Sequence, residues 1–204
     1  DAATPLSDLV LVAGTGQISS GYEGGTAAGL LVSSDGGDSW VVLGESALAN
    51  LRITAVQPTT IKDGDEHRLW VSTLDLDRDG TPGPDGVGGL FRLDLDIDAT
   101  VAHTKIDAAD FQQESVGGLL GAPVGHYTDL AFDPGVGGAS PKPAHLYAAG
   151  PQTGVWVLQP ELAGSPWVPE DTNIATGTDT DGDGIDDFFE PLARAKLAVT
   201  PSTA

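Results

Sequence analysis

The sequence has no cysteine and no methionine. Without cysteine there is no disulfide, no thiol chemistry and no zinc held by thiolates, although this leaves the compartment open. Basic residues are scarce: 9 Lys and Arg stand against 30 Asp and Glu, for a net charge of −21. Phosphate binding needs clustered Lys and Arg, so the composition argues against a nucleic-acid partner. Anionic membrane surfaces should repel such a chain as well. Long apolar runs are missing: no stretch reaches the roughly 18 residues that would span a bilayer as a helix. No segment carries a long amphipathic helical period either.

What is present points to strands and turns. Apolar residues make up 40% of the 204 residues, enough for a globular core. Glycine (28) and proline (14) are abundant, which suits many short strands joined by tight turns. The excess of Asp suits divalent cations or saline surroundings. The chain begins at Asp1 rather than Met, and reads as a mature, processed segment.

Internal repeats carry the fold expectation. A strand a ends in proline at Ala55-Val56-Gln57-Pro58, Ala131-Phe132-Asp133-Pro134 and Ala198-Val199-Thr200-Pro201. Proline suits a strand end, where its missing N–H removes no ladder bond. Strand b appears as Val10 to Gly14, Leu69 to Thr73 and Leu146 to Gly150. Strand c opens with glycine at Gly29, Gly89 and Gly154. Strand d is least regular, with candidates at Ser39 to Leu43, Val101 to Ile106 and Ser165 to Val168.

The order along the chain is b-c-d, a-b-c-d, a-b-c-d, a. The expected fold is all-β: a β-propeller of four-stranded antiparallel blades, about three in this chain. The boundaries are 8–44 for the first blade (strands b to d), 51–107 for the second and 126–169 for the third. An insertion occupies 170–191, and an orphan strand a occupies 195–201. A closed propeller needs about 4–8 blades. The chain is therefore read as a fragment of a longer propeller or as one completed by another chain.

Between c and d of the first repeat lies Ser33-Ser34-Asp35-Gly36-Gly37-Asp38-Ser39-Trp40. Asp35 is placed to accept backbone N–H groups of its own turn. Gly37 is free to take positive φ, and the Trp40 ring is expected to bury beneath the hairpin. The pattern Ser-x-Asp-x-Gly-x-[Ser/Thr]-Trp, set in the repeat, resembles the Asp-box (BNR-repeat) propellers. These include sialidases, sortilin-type receptors, xyloglucan-cleaving glycosidases and photosystem assembly factors. The intact box occurs once; Leu93-Asp94-Leu95-Asp96 and Leu158-Gln159-Pro160 stand in its place in the later repeats. The resemblance implies a structural role for Ser33, Asp35, Gly37 and Trp40, away from any active site.

The strongest chemical signal is the twelve-residue run from Asp179 to Glu190. Asp179, Asp181 and Asp183 fall at positions 1, 3 and 5 of a calcium loop, and Gly184 makes the turn at 6. Ile185 offers its carbonyl at 7, Asp187 sits at 9, and Glu190 at 12 has two oxygens to give. The residues before the loop have no helical period, and Pro191 follows it. The loop therefore looks like the isolated, thrombospondin-type-3-like calcium loops of bacterial surface proteins. A weaker loop starts at Asp75. It keeps Asp75, Asp77, Asp79 and Gly80, with Thr81 as a carbonyl donor and Asp85 in compensation for missing acids at 9 and 12. These loops name Ca2+ as the cofactor and an extracellular or cell-surface location.

The function expected from these features is a non-catalytic, calcium-binding module that binds protein or glycan, or assembles with copies of itself. The alternative is a fragment of an Asp-box glycoside hydrolase. Glycoside hydrolysis needs two carboxylates flanking the bond, and 30 acidic residues make such a pair trivial to find. Sialidase-like chemistry also needs an arginine cluster, yet Arg52, Arg68, Arg78, Arg92 and Arg194 form no recognisable motif. The histidines His67, His103, His126 and His145 are scattered, with His67 and His145 at the starts of b strands. No Ser-His-Asp order or phosphate-binding glycine loop stands out.

Overall fold

A computed structural model describes residues 9–16, 27–48, 51–63, 66–75, 88–95, 111–113, 127–135, 143–150, 154–161 and 166–169. Among the described residues there are strands and turns but no helix. The strands form three antiparallel meanders in chain order. Sheet 1 is β1 (Leu11–Gly14), β2 (Leu30–Ser33) and β3 (Val41–Leu43). Sheet 2 is β4 (Leu51–Asp63), β5 (Glu66–Asp75), β6 (Leu90–Leu95) and β7 (Phe111–Gln113). Sheet 3 is β8 (Asp129–Asp133), β9 (His145–Gly150), β10 (Gly154–Leu158) and β11 (Val168–Pro169).

Alternation along the strands decides how the sheets stack. In sheet 2, Leu69 and Val71 of β5 lie opposite Leu93 and Phe91 of β6. These side chains join Leu30, Val32, Leu43, Leu48, Leu51 and Ile53 in one buried cluster, so this face of sheet 2 packs on sheet 1. Trp70 and Leu90 point the other way. They join Tyr127, Leu130, Leu146, Ala148, Leu158 and Trp167 in a second cluster, so that face packs on sheet 3. Sheet 2 is thus apolar on both faces because it is the middle layer.

A bulge keeps β4 compatible with both neighbours. Ile53 pairs with Thr73 but Ala55 pairs with Ser72, so Thr54 is an extra residue. Its hydroxyl donates to the Tyr127 carbonyl at 2.8 Å, tying sheet 2 to sheet 3. The Thr54 proton being used there, the Ser72 hydroxyl at 2.7 Å donates to Thr54 Oγ1. On the other side, the Ile53 amide donates to the Thr15 carbonyl at 3.1 Å, tying sheet 2 to sheet 1.

The b strands of the repeats align differently from the sequence expectation. Thr15 and Thr73 make the same clasp at the end of β1 and β5. Each donates its amide to the carbonyl of the glycine opening the next strand, Gly29 at 3.2 Å and Gly89 at 2.9 Å. Each hydroxyl bonds to the same carbonyl and receives an amide from the opposite chain, Ala28 or Gly89. In sheet 3, Gly150 takes this place opposite Gly154. Thr15 rather than Gly14 is therefore equivalent to Thr73, a shift of one residue in the first repeat. A one-residue shift exchanges the two faces of a strand, so only this alignment sends Val12 toward sheet 2 as Trp70 is sent toward sheet 3.

Two further expectations are corrected. The fourth strand of sheet 2 is Phe111–Gln113, paired with Phe91 to Leu93, rather than the expected Val101 to Ile106. Residues 101–106 lie outside the described ones. Pro58 does not end its strand, since β4 runs on to Asp63. β4 is an edge strand, where proline is tolerated, and its register shifts directly after Pro58. The expected strand a at Ala198 to Pro201 lies outside the described residues.

Candidate functional site

The turn from Ser33 to Trp40 is organised by one hydroxyl and one carboxylate. The Ser33 hydroxyl donates to Asp35 Oδ1 at 2.7 Å and accepts the Gly37 amide at 2.8 Å. Asp35 Oδ1 accepts the Ser39 amide at 2.9 Å, and Oδ2 accepts the Ser39 hydroxyl at 2.5 Å. Gly37 takes a φ of +105°, which a side chain would strain. Hydrogen bonds from Ser39 and Ser33 favour the ionised form of Asp35 and hold its carboxyl far below the ordinary carboxylate value of 3.8.

Trp40 departs from expectation. Its ring is 43% exposed rather than buried beneath the turn. The indole Nε1–H donates to the Gly37 carbonyl at 3.0 Å, which holds the ring at the surface of the turn. The polar end of the side chain has found its partner in a carbonyl of its own turn, so no burial is needed to satisfy it.

A cleft lies on the far face of sheet 3. It holds about 350 Å³ and is lined by His145, Tyr147, Val157, Leu158, Gln159, Pro166 and Val168. His145 and Tyr147 are two apart on β9 and so share a face. Their ring centroids are 6.1 Å apart, tilted by 34°. Gln159 Nε2 lies 3.4 Å from His145 Nε2. An imidazole, a phenol and an amide over an apolar floor suit recognition by stacking and hydrogen bonding. Sequence reasoning placed His145 at a strand boundary and passed over Tyr147 and Gln159. The spacing of His145 and Tyr147 on one strand was the available signal.

Two of the five arginines converge on one carboxylate. Arg68 of β5 stands opposite Asp94 of β6. It donates Nε and Nη2 to the two carboxylate oxygens at 2.6 and 2.9 Å. Arg92 Nε lies 3.9 Å from Asp94 Oδ2. The bidentate geometry that a guanidinium offers a substrate carboxylate is taken here by a side chain of the same sheet. Nearby, a smaller cleft of about 180 Å³ between sheets 1 and 2 is lined in part by Val10, Val12, His67 and Leu95. Burial, and then the charge of Lys62, lower the His67 pKa below its ordinary 6.5.

The calcium-loop residues Asp179, Asp181, Asp183, Ile185, Asp187 and Glu190 lie outside the described residues. So do Asp77, Asp79, Thr81 and Asp85 of the second loop; Asp75 is the last residue of β5. His103 and His126, and Arg78 and Arg194, also lie outside them. Among the described residues, no group of three or more His, Cys, Asp or Glu is gathered as a metal site. Compared with protein-family models, curated proteins and solved structures, the chain matches none.

Proposed function

We propose that this chain is an extracellular, calcium-binding β-propeller segment without a catalytic role, each meander sheet being one blade. Its work is recognition: it binds protein or glycan, or assembles with copies of itself. The observation that carries the reading is the stack itself. Three meanders succeed one another in the same sense, and the middle one presents an apolar face to each neighbour. Sequential meanders stacked face to face are what radial repetition requires. Within this reading, the strand a pattern at 195–201 is assigned to the first blade, whose β1 is an edge strand among the described residues, and Ser33 to Trp40 is a folding element. The engagement of Arg68 by Asp94 supports a non-catalytic role, because that guanidinium already holds a carboxylate.

Calcium belongs to this reading through its two loops. Five Asp and Glu side chains of the Asp179 to Glu190 loop are assigned to one ion on a chain already at −21. Without a cation they repel one another. Calcium should therefore raise the thermal midpoint and chelation should lower it. Magnesium should substitute poorly, because it prefers a tighter octahedral shell and keeps its waters. Titration calorimetry on the parent and on Asp179→Ala/Glu190→Ala tests the assignment. The double variant is expected to lose one site. Equal stoichiometry in both proteins excludes this loop.

A further inference from the structure

The two seams inside the molecule are built from the same pair of unlike faces. Toward the following sheet, a sheet presents Val12 and Leu30, or Trp70 and Leu90. Toward the preceding sheet it presents Leu69, Val71, Phe91 and Leu93, or Leu146, Ala148 and Leu158. Among the described residues, one face of the first kind and one of the second have no neighbouring sheet, at the two ends of the stack. On sheet 3 the forward kind is Tyr147 and Val157, which pair across β9 and β10, with Val168 beside Val157 on β11. On sheet 1 the backward kind is Leu11 with Ser33, Ala13 with Leu31, and Val42 beside Leu31.

Exposure marks the same two faces. The large apolar side chains that stand exposed among the described residues are Trp40 (43%), Val42 (39%) and Val168 (45%). Val42 is on the far face of sheet 1, and Trp40 precedes it by two residues, its indole bonded to the Gly37 carbonyl. Val168 is on the far face of sheet 3, at the mouth of the His145–Tyr147 cleft. Val42 and Val168 are thus the exposed apolar side chains that the two end faces offer a partner.

The geometry points to head-to-tail docking of a second copy: the far face of sheet 3 in one copy receives the far face of sheet 1 in the other. This rests on the blade reading above. The contact is heterologous, since the two patches differ, and it repeats the packing already used at both internal seams. Two copies bring together six of the described sheets, twice the three described in one copy, which falls within the 4–8 or so of closed propellers. The dimer then closes by two equivalent contacts and leaves neither end exposed. The partner's Trp40–Val42 ridge is the part placed to fill the cleft beside Tyr147 and Val168.

Sedimentation of the calcium-loaded chain tests this, with Val42→Arg and Val168→Arg as variants. Both positions are exposed, so each variant should still fold, with the circular dichroism of the parent and a midpoint lowered only by the loss of association. The parent is expected to be a dimer. Each substitution should weaken dimerisation roughly 30-fold or more, as the loss of an interface anchor does. A calcium-loaded parent that stays monomeric overturns the docking while leaving the calcium reading in place. Dimers indifferent to both substitutions also overturn it. A dimer whose calcium stoichiometry is unchanged by Asp179→Ala/Glu190→Ala supports the docking and removes the loop assignment instead.

Discussion

The two seams of the stack solve the same packing problem with different materials. Between sheets 1 and 2 the filling is mostly aliphatic: Leu30, Val32, Leu43, Leu69, Val71 and Leu93 with Phe91. Between sheets 2 and 3 it is aromatic: Trp70, Tyr127 and Trp167, with Phe132 and Trp156 at its margin. Bulky rings there are matched by small residues, Ala55 and Ala148. Close packing demands this alternation of large and small. The ties between backbones differ as well. The aliphatic seam is joined by a direct amide-to-carbonyl bond from Ile53 to Thr15, which requires close approach. The aromatic seam is spanned by a side chain, the Thr54 hydroxyl reaching Tyr127.

The sharpest way to break this comparison is to empty each seam in turn. Trp70 is 1% exposed at the aromatic seam, and Trp70→Ala should destabilise by about 3–5 kcal/mol. Leu93→Ala in the aliphatic seam should cost less, toward the lower part of the roughly 2–5 kcal/mol range for such truncations. Denaturant midpoints of the two variants measure the order; a reversed order would mean that the aromatic seam is not the stronger one.

Adding volume should distinguish the seams next. A Cβ at Gly14 would lie 2.3 Å from Ile53 Cγ2, within the tight contact of β1 with β4. Gly14→Ala should therefore cost about 1–3 kcal/mol by overpacking. Ile53→Ala in the same chain removes the nearest atom and should recover part of that loss. A fully additive double variant would show that the close approach does not limit this seam.

Removing the side-chain tie is a milder test. Thr54→Val keeps the shape but deletes the hydroxyl that meets Tyr127 and Ser72. The expected cost is about 0.5–1.5 kcal/mol for each hydrogen bond lost. Amide exchange should quicken at the aromatic seam and stay unchanged at Ile53. Equal quickening at both seams would argue that they open as one unit.

The smallest effect belongs to the exposed turn, outside both seams. Asp35→Ala should lower the thermal midpoint less than any of these substitutions. Its dependence on pH has a definite sign. The folded carboxyl sits below its ordinary 3.8, so its contribution is present above that value and is lost as pH falls through the depressed folded value. Parent and variant midpoints should therefore differ at neutral pH and converge in strong acid. A gap that persists in strong acid would show that the turn is not held by the ionised carboxylate.

Strand chemistry was legible in the sequence because it is local. Glycine openings at Gly29, Gly89 and Gly154, apolar runs in b and c, and the scarcity of helical periods all report the preferences of a few neighbouring residues. The turn at Ser33 to Ser39 was legible for the same reason: Asp35 meets partners no more than four residues away. What the sequence left open depended on distant residues. The place of Thr15 beside Thr73 follows from contacts with Gly29 and Gly89, each 14 or 16 residues off. Irregular spacing hid β7, since Phe111 becomes a strand only by pairing with Leu93. Stacking order, and with it the difference between the two seams, was decided by tertiary structure alone. Alternation says that a strand has two faces; only the neighbouring layers determine what each one meets.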